Sequence, residues 1–142
     1  MNSEEIIDKY MPLLYSLAEK SYKYKEIPVG AIIIYNNKVI GKGYNTKESK
    51  KDILGHAEIM AIKQASRYFN DWRLNKVMLL TTLKPCLMCN EVIKASRIDK
   101  VYYILDQNNI IYDNNYIMLE MKDNLYFKKY QKLFSDFFKE IR

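Results

Sequence analysis

Val77-Met78-Leu79-Leu80-Thr81-Thr82-Leu83-Lys84-Pro85-Cys86-Leu87-Met88-Cys89 decides how this chain is read. Its first seven residues are apolar or β-branched, the composition of a buried strand. Pro85 suits the first turn of a helix, where a missing amide costs little. A strand over Val77 to Leu83 therefore runs straight into a helix carrying Cys86, Cys89, Ile93 and Ala95. Upstream, Val29 to Tyr35 reads as a buried strand, Asn36-Asn37 as a hairpin turn and Val39 to Gly43 as the returning strand. Residues 44–54 are a polar loop and 56–69 a helix. A first helix is expected from a cap at Asp8 to about Tyr24, with Pro12 in its first turn and Leu13, Leu14, Leu17 and Ala18 as its apolar stripe. Downstream, Val101 to Leu105 is a fourth strand, Asp106 to Asn115 an Asn-rich loop and Tyr116 to Met121 a fifth strand. Asn124 is placed to cap a final helix through about Ile141. This alternation predicts a layered α/β domain. Ten loop residues are short for a parallel crossover, so the fifth strand runs antiparallel or crosses unusually tightly.

The 142 residues, 49% of them hydrophobic, suffice for one domain spanning 1–142 with its own core. No apolar run approaches the roughly 18 residues of a membrane span. Met1-Asn2-Ser3-Glu4-Glu5 is polar and acidic, unlike a signal or transit peptide, so a cytoplasmic protein is expected. Both cysteines of the chain sit in one C-x-x-C, which excludes a disulfide scaffold and favours a reducing compartment. The net charge of +6 mildly favours an anionic partner such as RNA; on charge alone, a Lys-rich surface without that role is the commoner case.

His56 is the only histidine of the chain, and Glu58 follows two residues later. Taken alone, C-x-x-C fits a metal site, a redox dithiol or two small core residues. A lone His is more often structural, and Glu58 alone is an ordinary carboxylate near a helix start. Together they form a joint pattern: three metal ligands, His56, Cys86 and Cys89, with a carboxylate beside the first. Three ligands leave the fourth tetrahedral position of a zinc ion for water, as in catalytic sites. One geometric condition follows. Residues two apart in a helix interior point about 200° apart, so His56 and Glu58 share a site only at a helix end. H-x-E…P-C-x-x-C is the recognised signature of zinc-dependent base deaminases.

Further segments carry a resemblance. Glu26-Ile27-Pro28-Val29-Gly30-Ala31, Gly43-Tyr44-Asn45, His56-Ala57-Glu58-Ile59-Met60-Ala61, Thr82 to Cys89, Ser96-Arg97-Ile98 and Leu133-Phe134-Ser135-Asp136-Phe137-Phe138 resemble the bacterial tRNA-specific adenosine deaminases. The resemblance implies a three-layer α-β-α cytidine deaminase-like fold with a central five-stranded mixed sheet, assembled as a homodimer. It implies one Zn²⁺ per chain on His56, Cys86 and Cys89, with Glu58 as proton shuttle. It implies substrate contacts at Asn45, Val29, Leu83 and Ala57. The family reaction converts adenosine to inosine at the wobble position of a tRNA anticodon stem-loop.

Departures from the family pattern are Lys84 in place of the usual Glu, Asn90-Glu91-Val92 in place of Ala-Gly-Ala, and a shortened 106–115 segment. The larger side chains after Cys89 must repack the helix or face a cavity. In the last helix the aromatics are expected to dock on the core while Lys128, Lys129, Lys132 and Lys139 face water. The readings left open are an enzyme on structured RNA, an enzyme on a free base or nucleoside such as cytosine, cytidine or guanine, and a non-catalytic zinc protein.

Overall fold

Two asparagines in left-handed backbone turn the first hairpin. Asn36 and Asn37 have φ of 49° and 64°, the paired positive values of a type I′ turn. They join β1 (Gly30–Tyr35) to β2 (Lys38–Tyr44) in antiparallel register. On its other side β1 pairs antiparallel with β3 (Met78–Leu83). β3, β4 (Lys100–Leu105) and β5 (Ile117–Glu120) run parallel, giving a mixed sheet of order β2-β1-β3-β4-β5. This computed structural model describes residues 2–107, 116–121 and 125–140. Only residues 106–116 separate β4 from β5, yet the two strands are parallel, so the tight crossover is the arrangement adopted. Most of the expected 106–115 loop lies outside the described residues.

Four helices cover the two faces of the sheet. α1 (Ser3–Lys23) and α4 (Tyr126–Glu140) pack on each other and on one face. α2 (Ala57–Phe69) and α3 (Leu87–Ala95) lie on the other. Two glycines fix these layers by close approach. A methyl group on Gly30 would lie 2.6 Å from the Leu14 carbonyl oxygen of α1; on Gly43 it would lie 2.2 Å from the Ala57 carbonyl oxygen of α2. Gly43 pairs with Ala31, the residue after Gly30, so the two glycines face opposite layers. The core between them includes Leu14, Ile32, Ile33, Leu79, Leu80, Val101 and Ile104, all fully buried or nearly so. Among the described residues, no helix is long and apolar enough to cross a membrane.

Both outer helices differ from expectation. α1 starts at Ser3 rather than after Asp8, because Asn2 is the cap: its Oδ1 accepts from the Glu5 amide at 2.9 Å. Glu4 and Glu5 then occupy the first turn, where the helix dipole favours them. Pro12 therefore sits mid-helix, on an exposed position one turn from exposed Asp8. The Asp8 carbonyl that loses its amide partner lies on this solvent side, which makes the proline tolerable. The expected cap Asn124 lies outside the described residues. In α4, Tyr130 and Phe137 are buried while Lys128, Lys129, Lys132 and Lys139 are exposed, as the sequence predicts. The Tyr130 hydroxyl donates to the Pro28 carbonyl at 2.5 Å, across 102 residues of chain. Asn90 is also buried, and its Oδ1 accepts from the Tyr116 hydroxyl, which ties α3 to the approach of β5.

Candidate active site

The start of β1, the carboxyl ends of β3 and β4, and the first turns of α2 and α3 meet at one end of the sheet. In open α/β sheets this carboxyl end is where ligands bind. His56 is the N-cap of α2, with extended backbone at φ −97° and ψ 142°. Glu58 is the second residue of that helix. The geometric condition posed by the sequence is met: the chain is still entering its first turn at His56, so both side chains reach one cavity. Gly43 sets this entry, because α2 rests its first carbonyl on β2 where a side chain would stand.

Cys86 is the N-cap of α3, and its Sγ accepts from the Cys89 amide at 3.5 Å. Pro85 thus precedes the cap rather than filling the first turn. The His56 Nδ1 lies 3.8 Å from the Cys86 Sγ and 3.4 Å from the Cys89 Sγ. These three donor atoms fall within 4.8 Å of one another, at half-buried to buried positions. An imidazole that faces both sulfurs is the arrangement a metal site needs, and in the free side chains it also lets Nδ1 hydrogen-bond to the thiols. One nitrogen and two soft sulfurs suit Zn²⁺, and three protein donors are the complement of a catalytic rather than a closed structural site.

The local electrostatics favour this use. As free side chains, the two thiols share a proton. The Cys86 thiol is pushed down to about 4, first by the hydrogen bond from Cys89 and then by His56, against the opposing effect of burial. The Cys89 thiol is pushed up by the bond it gives Cys86 and by burial. The His56 imidazole is raised, chiefly by its hydrogen bond to Cys86. Glu58 is 4% exposed, and burial lifts its carboxyl to about 7, with the nearby Cys86 thiolate adding to the rise. A carboxyl near neutrality can both take and return a proton at working pH.

His56, Glu58 and Cys86 line a cavity of about 160 Å³, whose other walls are Ile27, Val29, Asn45, Leu83, Lys84 and Gln107. It is smaller than the ~300–1,000 Å³ of pockets for drug-sized ligands and on the scale of a single base. Of the residues expected to contact substrate, Asn45, Val29 and Leu83 line this cavity. Ala57 is not among the lining residues: its side chain is fully buried, and its amide donates to the Asn45 Oδ1 at 2.9 Å. Lys84 closes the rim through an ion pair with Asp106 at 3.5 Å. Gln107, which no sequence signal singled out, donates to the Lys84 carbonyl at 2.5 Å. A larger hollow of about 360 Å³ lies at the opposite end of β1 and β3, and its lining contains neither a cysteine nor a histidine.

Residues 4–105 match the sequence profile of the cytidine and deoxycytidylate deaminase zinc-binding region. The chain belongs to the cytidine and deoxycytidylate deaminase family. The tRNA-specific adenosine deaminase of Buchnera aphidicola (subsp. Baizongia pistaciae) is 33% identical to this deaminase, over 95% of this chain and 90% of its own. A solved structure from a study of A-to-I editing by tRNA:A34 deaminases at the wobble position of transfer RNA superposes with a TM-score of 0.72. It is 25% identical and covers 79% of this deaminase and 96% of its own chain. Guanine deaminase from Bacillus subtilis superposes with a TM-score of 0.66 at 29% identity, over 75% of this chain and 66% of its own. The deaminase fold is therefore shared with enzymes named for two different bases.

Proposed function

We propose that this deaminase converts adenosine to inosine at the wobble position of a tRNA anticodon stem-loop. The observation that carries the reading is the three-donor cluster beside a buried carboxylate, in a chain that matches a tRNA-specific adenosine deaminase over nearly its whole length. His56, Cys86 and Cys89 would hold one Zn²⁺ per chain, within a single domain. Bound zinc would supply Lewis acidity and lower the pKa of a bound water, to about 7 in the best-known zinc site. Glu58 takes one proton of the attacking water and gives it to the adenine ring nitrogen as the C6–O bond forms. It then carries the second proton, from the new C6 hydroxyl, to the amino group, which leaves as ammonia as the C6–N bond breaks and the C6 carbonyl forms. Val29 and Leu83 form apolar walls for the base. The Asn45 Oδ1 is engaged by Ala57, so its amide NH₂ is the group offered to the nucleoside, and Ala57 acts by orienting it. Exposed lysines of α4 favour RNA phosphates electrostatically, while its aromatics are committed to the core. The working form is a homodimer in the cytoplasm, where the tRNA substrate resides.

One assay tests this reading. The zinc-loaded protein is incubated with an anticodon stem-loop bearing a wobble adenosine, and separately with free adenosine, cytidine and guanine. Inosine in the stem-loop alone is the expected result. Deamination of a free compound alone would overturn the tRNA assignment and favour the guanine deaminase likeness. No product from any of them, with zinc bound, would return the chain to a non-catalytic role.

A further inference from the structure

Outside the metal cluster, one carboxylate among the described residues is buried and makes no ion pair. Glu26 is 2% exposed, and its side-chain partners among the described residues are two backbone amides. One oxygen accepts from Glu48 at 3.0 Å and the other from Ser49 at 2.6 Å. Burying a carboxylate is costly, and hydrogen bonds offset the cost only in part. Glu26 is itself held from behind: its amide donates to the Ser21 carbonyl at 3.0 Å, just after Lys25 turns the chain at φ 61°.

The two amides belong to a loop whose ends are both functional. At one end, the Asn45 amide donates to the Val29 carbonyl at 3.2 Å. At the other, the Thr46 amide donates to the Gly55 carbonyl at 2.8 Å, closing the loop immediately before His56. Glu26 grips the turn between these ends. Ser21 reinforces the same wall, its hydroxyl donating to the Val29 carbonyl at 3.1 Å.

We infer that Glu26 is a positioning residue: its carboxylate fixes the 45–56 loop and, through the neck of that loop, the placement of His56 and Asn45 at the cavity. The kinetic half of this inference rests on the deaminase function proposed above; the structural half does not. Charge and acceptor pattern, rather than volume, carry the role. Glu26→Gln keeps the shape but turns one acceptor into an NH₂ facing an amide donor, so the grip fails on one side.

The test compares the full chain and its Glu26→Gln variant by amide exchange, by the absorption spectrum of the cobalt-substituted site, and by steady-state deamination of the stem-loop. In the variant, the Glu48 and Ser49 amides should exchange about tenfold faster, while amides of β1 and β3 keep their rates. The cobalt bands should shift, and kcat/KM should fall by about 10²-fold, with most of the loss in kcat. Unchanged exchange at 48 and 49 with an unchanged spectrum would overturn the inference. So would a uniform rise in exchange across β1 and β3 with unchanged cobalt bands, since that marks general stability alone. Free-loop exchange at Glu48 and Ser49 in the unsubstituted chain would overturn it without any variant. Should the unsubstituted chain turn over nothing while the exchange and cobalt changes appear, the proposed function fails and the positioning role stands.

Discussion

Gly43→Ala tests whether the close seating of α2 on β2 places the active site. The added methyl would stand 2.2 Å from the Ala57 carbonyl oxygen, about 1.2 Å inside the 3.4 Å at which ordinary contact begins. It would also meet the Met60 Cβ at 2.8 Å and the Ala61 amide at 3.0 Å. The obstruction is helix backbone, so the start of α2 must lift by about an ångström. Overpacking of this kind costs about 1–3 kcal/mol. The same lift displaces His56 and Glu58, and a misplacement of about 1 Å reduces turnover by roughly 10²-fold. Urea unfolding measures the first effect and steady-state deamination the second. The comparison variant is Ile34→Ala, which opens a cavity at the other end of β1, where Ile34 is 3% exposed. It should lose about 2–5 kcal/mol yet keep its activity under native conditions. If Gly43→Ala is as active as Ile34→Ala at matched stability, seating of α2 does not set the site geometry.

Three further outcomes are expected. Cys86→Ser should lose stoichiometric zinc, and the fall in melting temperature that a chelator causes in the unsubstituted protein should vanish in the variant; an undiminished chelator effect would refute the ligand assignment. In metal-free protein, the Glu58 carboxyl titrates at about 7 when folded against 4.5 when free, so the stability it contributes is present below 4.5 and lost as pH rises through 7. Glu58→Gln removes that dependence, and its stability relative to the unsubstituted chain should rise by about 2 kcal/mol between pH 5 and pH 8 in urea titrations; an equal difference at both pH values would contradict it. The holoprotein variant should keep zinc and lose turnover by roughly 10²–10⁴-fold. Tyr130→Phe leaves the Pro28 carbonyl without its donor and should destabilise by about 1–2 kcal/mol with zinc retained; loss of zinc would show that α4 acts on the metal site itself.

The metal cluster was legible because the chain has one histidine and two cysteines, so the joint pattern left few alternatives. The hairpin was legible because two asparagines tolerate the left-handed backbone that its turn needs. The start of α1 also has a local signal: Asn2, followed three residues later by Glu5, is a capping pattern that prevails over Asp8 and a conventionally placed Pro12. Other features had no local signal. The direction of β5 depends on pairing with β4, which periodicity does not encode. Glu26 reads as one letter of a family segment, and nothing nearby in sequence reveals amides more than twenty residues away. Asn45 was legible as a candidate and does line the cavity, but the sequence gives no reason for its orientation, which is the cap it gives to the first amide of α2.

The bond from Tyr130 to Pro28 orders events during synthesis. The last residue of the donor cluster, Cys89, leaves the ribosome forty-one residues before Tyr130, an interval of about 2–8 s at 5–20 residues per second. For that interval the nascent chain holds the whole three-donor cluster and Glu58, but Pro28, beside the Val29 wall, lacks the hydroxyl that fastens it. The three-donor cluster is therefore synthesised in full before the residue that fastens Pro28, next to the Val29 wall of the cavity.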